Sequence, residues 1–370
     1  MPTPDQIKPF LLHDDPDVRK HAARYFSDSW SEDADLLPLV LDSCERHGVE
    51  ENHSILYDAH RFTVAEDSLD RLLALLASVK DASAIDHLNR IVIQAPVEIV
   101  RDRQEAIERN PNIRPATLLR IQRRRDLFDW SGERLWEELQ DVARRADDEE
   151  DGGKIDRRHA AEFVDALGRH DVPDAGTICR LLGELEPDVG WLEIFLVDLA
   201  GRRRLREAVP ILVDKLHLDG DFVLESASDA LARIGDPEAV ALIRREFPDA
   251  TYDYRLYATG VLGKIKHPDS EAAILALLET ETDAGVRMWL CSSLCDLISD
   301  QSLDAVLKEI RSGDDMALRD LTTPALAVAA MLGAGPSPEI EALERERRRR
   351  RRAEHRGAFE TACRRTPDPS

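Results

Sequence analysis

Aromatic residues are scarce in this 370-residue chain. They make up 5% of the sequence, although 43% of its residues are hydrophobic. Strands of β-sandwiches and barrels favour aromatic and β-branched residues, whereas helix faces are commonly built from Leu, Ala and Val. The composition therefore favours an all-α protein. Because the chain is too long for one compact core of ordinary size, we expect several domains or an extended array.

Cysteine motifs and long apolar runs are also lacking. The five cysteines are scattered and form no Cys-x-x-Cys pair, which argues against a disulfide framework and against zinc ligands of that type. No apolar run reaches the roughly 18 residues of a membrane span. The first residues also lack the basic segment and apolar segment of a secretion signal. We therefore predict a soluble, cytoplasmic protein with no membrane span.

Positive charge is in short supply, except near the C-terminus. The formal net charge is −23 at pH 7, so the surface as a whole repels nucleic acid and anionic lipid. Residues 339–365, however, contain ten arginines against six glutamates. A solvated helix with Glu/Arg pairs explains this pattern, and so does an anion-binding tail. The candidate anion-binding residues form one unbroken run: Arg347, Arg348, Arg349, Arg350, Arg351 and Arg352.

Catalytic and metal-binding motifs are not found. The sequence has no Gly-rich phosphate loop and no Gly-x-Ser-x-Gly elbow. His159 and Glu162 share a helix face, but a structural metal site needs about four ligands and no second pair has matching spacing. Cys291 and Cys295 also share a face, and we interpret them as reduced packing residues. We predict no catalytic residue, no metal and no cofactor.

Internal repetition is the most informative pattern in the sequence. A Leu followed by a small residue recurs at intervals of 32, 32, 31 and 32 residues, each time before a break and another apolar-periodic segment. The five pairs are Leu167-Gly168, Leu199-Ala200, Leu231-Ala232, Leu262-Gly263 and Leu294-Cys295. Such a register predicts a series of similar structural units.

One unit consists of two predicted antiparallel helices. Residues 238–247 have apolar side chains at helical spacing, and the following Pro and Asp residues suit a turn. A second helix is predicted over residues 254–265, with Tyr254, Ala258 and Leu262 on one face. His267-Pro268-Asp269 then ends this helix and starts the next.

The second helix resembles the HEAT-repeat pattern Val-Arg-x-x-Ala-Ala-x-x-Leu-Gly-x-Ile. Tyr254-Arg255 stand at its Val-Arg position, and Val286-Arg287 repeat it one unit later. Residues 15–19 (DPDVR) resemble the family's inter-repeat turn. The resemblance implies a right-handed α-solenoid of stacked antiparallel helix pairs. We divide the chain into irregular N-terminal repeats (1–145), an acidic Gly-containing linker (146–154), a HEAT-like array (155–335) and an Arg-rich tail (336–370).

In HEAT-type stacks the second helices line a concave surface, so the resemblance implies a binding face there. The polar and aromatic positions left over after the apolar face is buried change from carboxylates to aromatics along the array. The predicted concave-face residues are Glu193, Asp198, Glu225, Asp229, Arg233, Tyr257, Lys264, Met288, Trp289 and Asp296. Carboxylates beside aromatic anchors suit a basic or amphipathic protein segment, so we predict a non-catalytic scaffold or adaptor.

Two alternatives remain open at this point. The first is a nucleic-acid-associated protein that uses the arginine run. The second is a HEAT-like lyase or hydroxylase. The di-iron hydroxylases of this fold carry repeated His-Glu dipeptides, and this sequence contains none. Lyases of the fold leave no short signature that could be compared.

Overall fold

Helices account for all the regular secondary structure that the computed structural model describes, which comprises residues 1–147, 157–184, 190–218, 221–312 and 315–365. No β-strand occurs in these residues, which confirms the all-α prediction. The helices of the first part are α1 Pro4–Ile7, α2 Pro16–Asp28, α3 Leu36–His47, α4 His53–Asp58, α5 Glu66–Ser78, α6 Ala82–Gln94, α7 Val97–Asp102, α8 Gln104–Arg109, α9 Pro115–Phe128, α10 Gly132–Asp147 and α11 Arg157–Leu167.

The second part continues with helices of similar length. They are α12 Ala175–Glu184, α13 Trp191–Arg202, α14 Val209–Lys215, α15 Asp221–Ile234, α16 Pro237–Glu246, α17 Tyr252–Lys264, α18 Pro268–Thr280, α19 Ala284–Leu297, α20 Asp300–Ser312, α21 Asp315–Met331 and α22 Pro338–Arg365. The predicted helices 238–247 and 254–265 are α16 and α17, each displaced by one or two residues.

Local sequence explains where these two helices begin. The Asp236 side chain accepts a hydrogen bond from the Glu238 amide, and Pro237 occupies the first helical position, where a missing amide hydrogen is tolerated. The Thr251 side chain caps α17 by accepting from the Tyr254 amide. Both helices therefore have a side-chain acceptor for an amide that has no partner within the helix.

The repeated leucines lie at equivalent places in successive units. Leu167, Leu199, Leu231, Leu262 and Leu294 fall on α11, α13, α15, α17 and α19, and all five are fully buried. The small residue that follows allows the next helix to approach closely. A Cβ added to Gly263, for example, would lie 2.8 Å from Cβ of Ser293 on α19. The predicted register is therefore a register of helix-to-helix packing.

Two layers of helices run through the second part of the chain. In the first, here called the inner row, α11, α13, α15, α17, α19 and α21 each pack on the next. In the second, α12, α14, α16, α18 and α20 do the same. Helices of the second layer also pack on their neighbours in the inner row. Each consecutive helix pair thus contributes one helix to each layer.

The contacts of the inner row continue into the N-terminal part and return to their start. Going back along the chain, α11 packs on α9, α9 on α6, α6 on α4 and α4 on α2. Helix α2 in turn packs on α21 and α19. Neighbouring helices of this layer therefore form a closed circuit, and the contact of α2 with α19 and α21 is here called the seam.

Two hydrophobic clusters fill the space between the layers. One comprises buried residues between 127 and 343, and the other comprises residues between 7 and 121 together with Ile298, Ala327 and Met331. These three residues belong to the C-terminal part, so the seam is also an apolar contact. The clusters change over within α9. The predicted linker 146–154 falls mostly on residues 148–156, which lie outside the described residues.

Candidate functional site

Two adjacent cavities open on the inner row and meet at Glu225 of α15. The first has a volume of about 460 Å³ and lies along α15, α17 and α19, while the second has a volume of about 260 Å³ and lies along α11, α13 and α15. Glu225 lines both cavities. We call the two cavities together the Glu225 groove. Most of the predicted concave-face residues line it: Asp198, Glu225, Asp229, Tyr257, Lys264, Trp289 and Asp296.

The first cavity combines aromatic walls with a floor of small residues. Tyr257 and Trp289 line it from α17 and α19, and 44% of the Trp289 surface is exposed. Gly260 of α17 lines the same cavity, and no atom stands within 4 Å of the position that a Cβ would take there. The cavity therefore has open space at Gly260 beside aromatic side chains that a ligand could contact.

The second cavity is lined by three aromatic residues. The rings of Trp191 and Phe195 on α13 are stacked, with centroids 6.1 Å apart, and Phe222 of α15 is 53% exposed. Phe222 precedes Glu225 by three residues, so both side chains lie on one face of α15. Glu225 is exposed, and no described cation lies within ion-pairing distance of it. The groove thus places one carboxylate between two aromatic surfaces.

Other carboxylates of the groove are paired with cations of the same chain. Asp229 accepts from Lys264 Nζ at 2.7 Å, and Arg61 of the N-terminal part lies 3.4 Å from its other oxygen. Burial raises the pKa of Asp229, but Lys264 and then Arg61 outweigh it and lower the pKa overall. Asp229 is therefore ionised at neutral pH and already partly neutralised.

The N-terminal part supplies a second cation to the groove. Arg24 of α2 lines the first cavity and lies 3.7 Å from Asp296 of α19. Asp296 is the main cause of the raised pKa of Arg24, ahead of Asp28. Neither Arg24 nor Arg61 could be predicted from the sequence, because their approach to the inner row depends on the seam. Trp191 and Phe222, by contrast, fall where other units have a valine of the repeat pattern.

Three predicted concave-face residues lie elsewhere. Glu193 is fully buried, and its Oε1 is 2.5 Å from Nζ of Lys215 on α14. Met288 is also buried, within the larger hydrophobic cluster. These two side chains face the layer contact rather than the groove, so they cannot touch a ligand that docks on this surface. Arg233 lies outside both cavities, with its guanidinium 4.4 Å from the ring centroid of Trp30.

The start of the arginine run is engaged by the protein itself. Arg347 of α22 lies 2.8 Å from Asp15 and 3.2 Å from Asp17, at the start of α2. Arg350 donates to the Arg319 carbonyl at 2.7 Å. Three further arginines are exposed, namely Arg348, Arg349 and Arg352, while the side chain of Arg351 lies outside the described residues. Nucleic-acid binding by the arginine run stays a prediction.

Glu162, a candidate metal ligand together with His159, forms an ion pair with an arginine. His159 Nδ1 lies 3.4 Å from Glu162, and the same carboxylate accepts from Arg120 Nε at 3.0 Å. Among the described residues, no group of three or more His, Cys, Asp or Glu side chains could hold a metal ion. Glu162 also lines a third cavity of about 230 Å³, together with Asp165 and Arg169.

Asp58 lies near the seam and gives a pH-dependent prediction. Burial and then Asp28 raise its pKa to about 6, above the ordinary value of about 3.9. At pH 7.5 the folded protein must therefore keep an unfavourable charge. We expect Asp58→Asn to raise the free energy of unfolding by about 1 kcal/mol at pH 7.5, after allowance for partial solvent exposure.

The increase in the free energy of unfolding from Asp58→Asn should shrink as the pH is lowered through about 6. It should disappear below about 4, where Asp58 is protonated in both the folded and the unfolded protein. Urea unfolding at pH 7.5 and 5.0 measures this difference. Asp304→Asn makes the same change at an exposed position of α20 and serves as the control against which the effect of Asp58→Asn is measured at each pH. An equal effect of Asp58→Asn at both pH values would contradict the prediction.

Comparisons with protein families and with curated proteins identify no relative of this chain. No protein-family model matches the chain, and no curated protein matches it. Within the described part of the chain, no helix combines the length and the apolar character that a membrane span requires.

Proposed function

We propose that this protein is a non-catalytic, HEAT-like adaptor that binds a basic or amphipathic protein segment in the Glu225 groove. In this proposal the chain is a right-handed solenoid of helix pairs, bent round until its ends meet, and it acts in the cytoplasm. The periodic burial of the repeated leucines and the two-layer order of helix contacts support the solenoid. The groove supports the binding role.

The position of Glu225 between two aromatic-lined cavities carries the proposal. A partner's Arg or Lys placed beside Glu225 would form a charge-assisted hydrogen bond, which is stronger than a neutral one. Apolar side chains on either side of that cation would fill the two cavities, one against Phe222 and the other against Trp289. Aromatic anchors in pockets of this kind supply much of the affinity of protein interfaces.

The shape of the groove favours a chain segment over a single small molecule. Small-molecule sites are usually one cleft of roughly 300–1,000 Å³ that surrounds most of the ligand. Here the space is divided into two cavities of about 460 and 260 Å³, joined at one exposed carboxylate. A peptide can place successive side chains in two cavities and a basic residue between them.

The test is selection from a random peptide library displayed on phage, followed by affinity measurement of one selected peptide. We expect the wild type to enrich peptides with an Arg or Lys flanked by apolar residues. Glu225→Lys should weaken binding of that peptide by at least about tenfold, because it replaces attraction by repulsion at the centre of the groove.

The matched control is Glu279→Lys, which makes the same charge change at an exposed position of α18 in the second layer. It should leave the affinity within about twofold of the wild type. Enrichment of peptides without a basic residue would count against the proposal. So would equal losses in the two variants, because they would show that only net charge matters.

A further inference from the structure

The ion pairs between the N-terminal part and the groove are longer than the ion pair between Lys264 and Asp229 within the inner row. Arg24 lies 3.7 Å from Asp296 and Arg61 lies 3.4 Å from Asp229, whereas Lys264 lies 2.7 Å from Asp229. The Arg24 side chain is 48% exposed. A cation that approaches either carboxylate more closely would form the stronger charge-assisted hydrogen bond. Both arginines nevertheless stand at carboxylates of the first cavity.

The loop that follows α2 makes the next set of contacts. The indole of Trp30 lies between two guanidinium groups, those of Arg61 and Arg233, each 4.4 Å from its ring centroid. Arg204 at the end of α13 donates to the Trp30 carbonyl at 3.1 Å and to Glu32 at 3.0 Å. We call α2, the Trp30 to Glu32 loop and Arg61 the clamp.

One cation of the inner row contacts the clamp and departs from the pairing seen elsewhere in the row. Arg202 pairs with Asp165 of the preceding inner helix, and Lys264 pairs with Asp229 in the same way. The equivalent pair would join Arg233 to Asp198, but no contact within 4 Å links them among the described residues. Arg233 stacks on Trp30 instead, and burial and then Arg202 lower its pKa to about 10. Asp198 in turn pairs with Arg202 at 3.4 Å, so Arg233 is bound to Trp30 rather than to a carboxylate of the inner row.

Backbone strain is found at the same boundary. In the described residues, the non-glycine residues with a positive φ are Trp30, Arg204 and Ile298, at 50°, 52° and 52°. Trp30 and Arg204 contact each other, and Ile298 packs within the hydrophobic cluster of the N-terminal part. Left-handed backbone is unfavourable for a β-branched residue such as Ile298, and strain of this kind marks switch regions and clamps.

We propose that the clamp is removable, and that Arg24 and Arg61 occupy the positions at Asp296 and Asp229 that basic side chains of the partner segment take when it binds. This inference rests on the proposed function and extends it, because it assigns two further carboxylates to the partner and makes the protein's own N-terminal part a competitor. The partner then needs basic residues beyond the one beside Glu225.

The experiment compares Arg24→Gln/Arg61→Gln with Arg46→Gln/Arg71→Gln. Both variants remove two positive charges from ion pairs of the N-terminal part, but Arg46 and Arg71 pair with Asp14, Asp42 and Glu45, away from the groove. The probe is a hexa-arginine peptide, and its Kd is measured by titration calorimetry. Hydrogen–deuterium exchange of α2 and α19 is measured without any peptide.

We expect Arg24→Gln/Arg61→Gln to tighten binding of the probe about three- to tenfold relative to the control variant and to speed amide exchange in α2 and α19. The tightening should vanish when Asp229→Asn/Asp296→Asn is added, because the freed carboxylates cause it. An affinity equal to that of the control, or tightening that persists without those carboxylates, would overturn the inference.

The exchange measurement separates this inference from the proposed function. Faster exchange at the seam in Arg24→Gln/Arg61→Gln reports opening of the clamp whether or not any peptide binds at Glu225. If Glu225→Lys leaves the affinity of a library-selected peptide intact, the proposed function fails by itself. If exchange at the seam matches that of the control variant, the clamp is not removable and the inference fails by itself.

Discussion

Replacing Lys215 by methionine should lower the free energy of unfolding by about 3–5 kcal/mol, because it leaves a buried carboxylate without its partner. Glu193 is fully buried on α13, and the Lys215 side chain is 9% exposed. Removing one member of such a pair leaves a charge with neither water nor counterion around it. Urea unfolding at neutral pH, followed by circular dichroism, measures the loss.

A double variant distinguishes this explanation from a loss of packing. In Glu193→Leu/Lys215→Met both charges are gone and the volume is largely kept, so we expect stability within about 1–2 kcal/mol of the wild type. A double variant as unstable as Lys215→Met would contradict the argument. It would mean that the alkyl chain of Lys215, rather than its charge, supports the contact between α13 and α14.

Gly201→Val is expected to lower the free energy of unfolding by about 2–3 kcal/mol, through overpacking between α13 and α15. A Cβ at residue 201 would lie 2.7 Å from Cα of Ala230 and 2.9 Å from its Cβ. The first of these atoms belongs to the backbone, so a rotamer change cannot relieve the clash. The two inner helices would have to move apart.

The control for Gly201 is Gly260→Ala on α17, where no atom stands within 4 Å of the added Cβ. Alanine is a better helix former than glycine by about 0.5–1 kcal/mol, so this variant should be slightly more stable than the wild type. Thermal unfolding of the two variants measures the difference. A loss of equal size at both positions would show that close approach of α13 and α15 is not the cause.

The inner row could be predicted because each unit repeats the same local requirements. A buried leucine, a small residue after it and a turn with Pro or Asp recur about every 32 residues. Each of these features can be recognised from the sequence of a single unit. The groove followed in part from the same register, since Glu225, Tyr257 and Trp289 occupy equivalent positions of successive inner helices, 32 residues apart. Their approach in space is a direct consequence of the repeat.

Contacts between distant parts of the chain could not be predicted in this way. Lys215 reaches Glu193 from the other layer, and the sequence offers no measure of how deeply a carboxylate on an inner helix is buried. Arg24 and Arg61 reach the groove only because α2 packs on α19 and α21. The acidic composition indicated a groove open to basic partners, whereas three of its carboxylates, Asp198, Asp229 and Asp296, already have arginines of the same chain within ion-pairing distance.

The closed circuit of inner helices also determines the order in which the protein can form. A linear array can build up unit by unit from its first repeat as the chain emerges during synthesis. Here the apolar cluster of the N-terminal part includes Ile298, Ala327 and Met331, which are made after all its other buried members. Contacts so distant in sequence slow folding. Helix α2 therefore completes its packing only after α19 and α21 have been made, and until then it keeps an apolar face exposed.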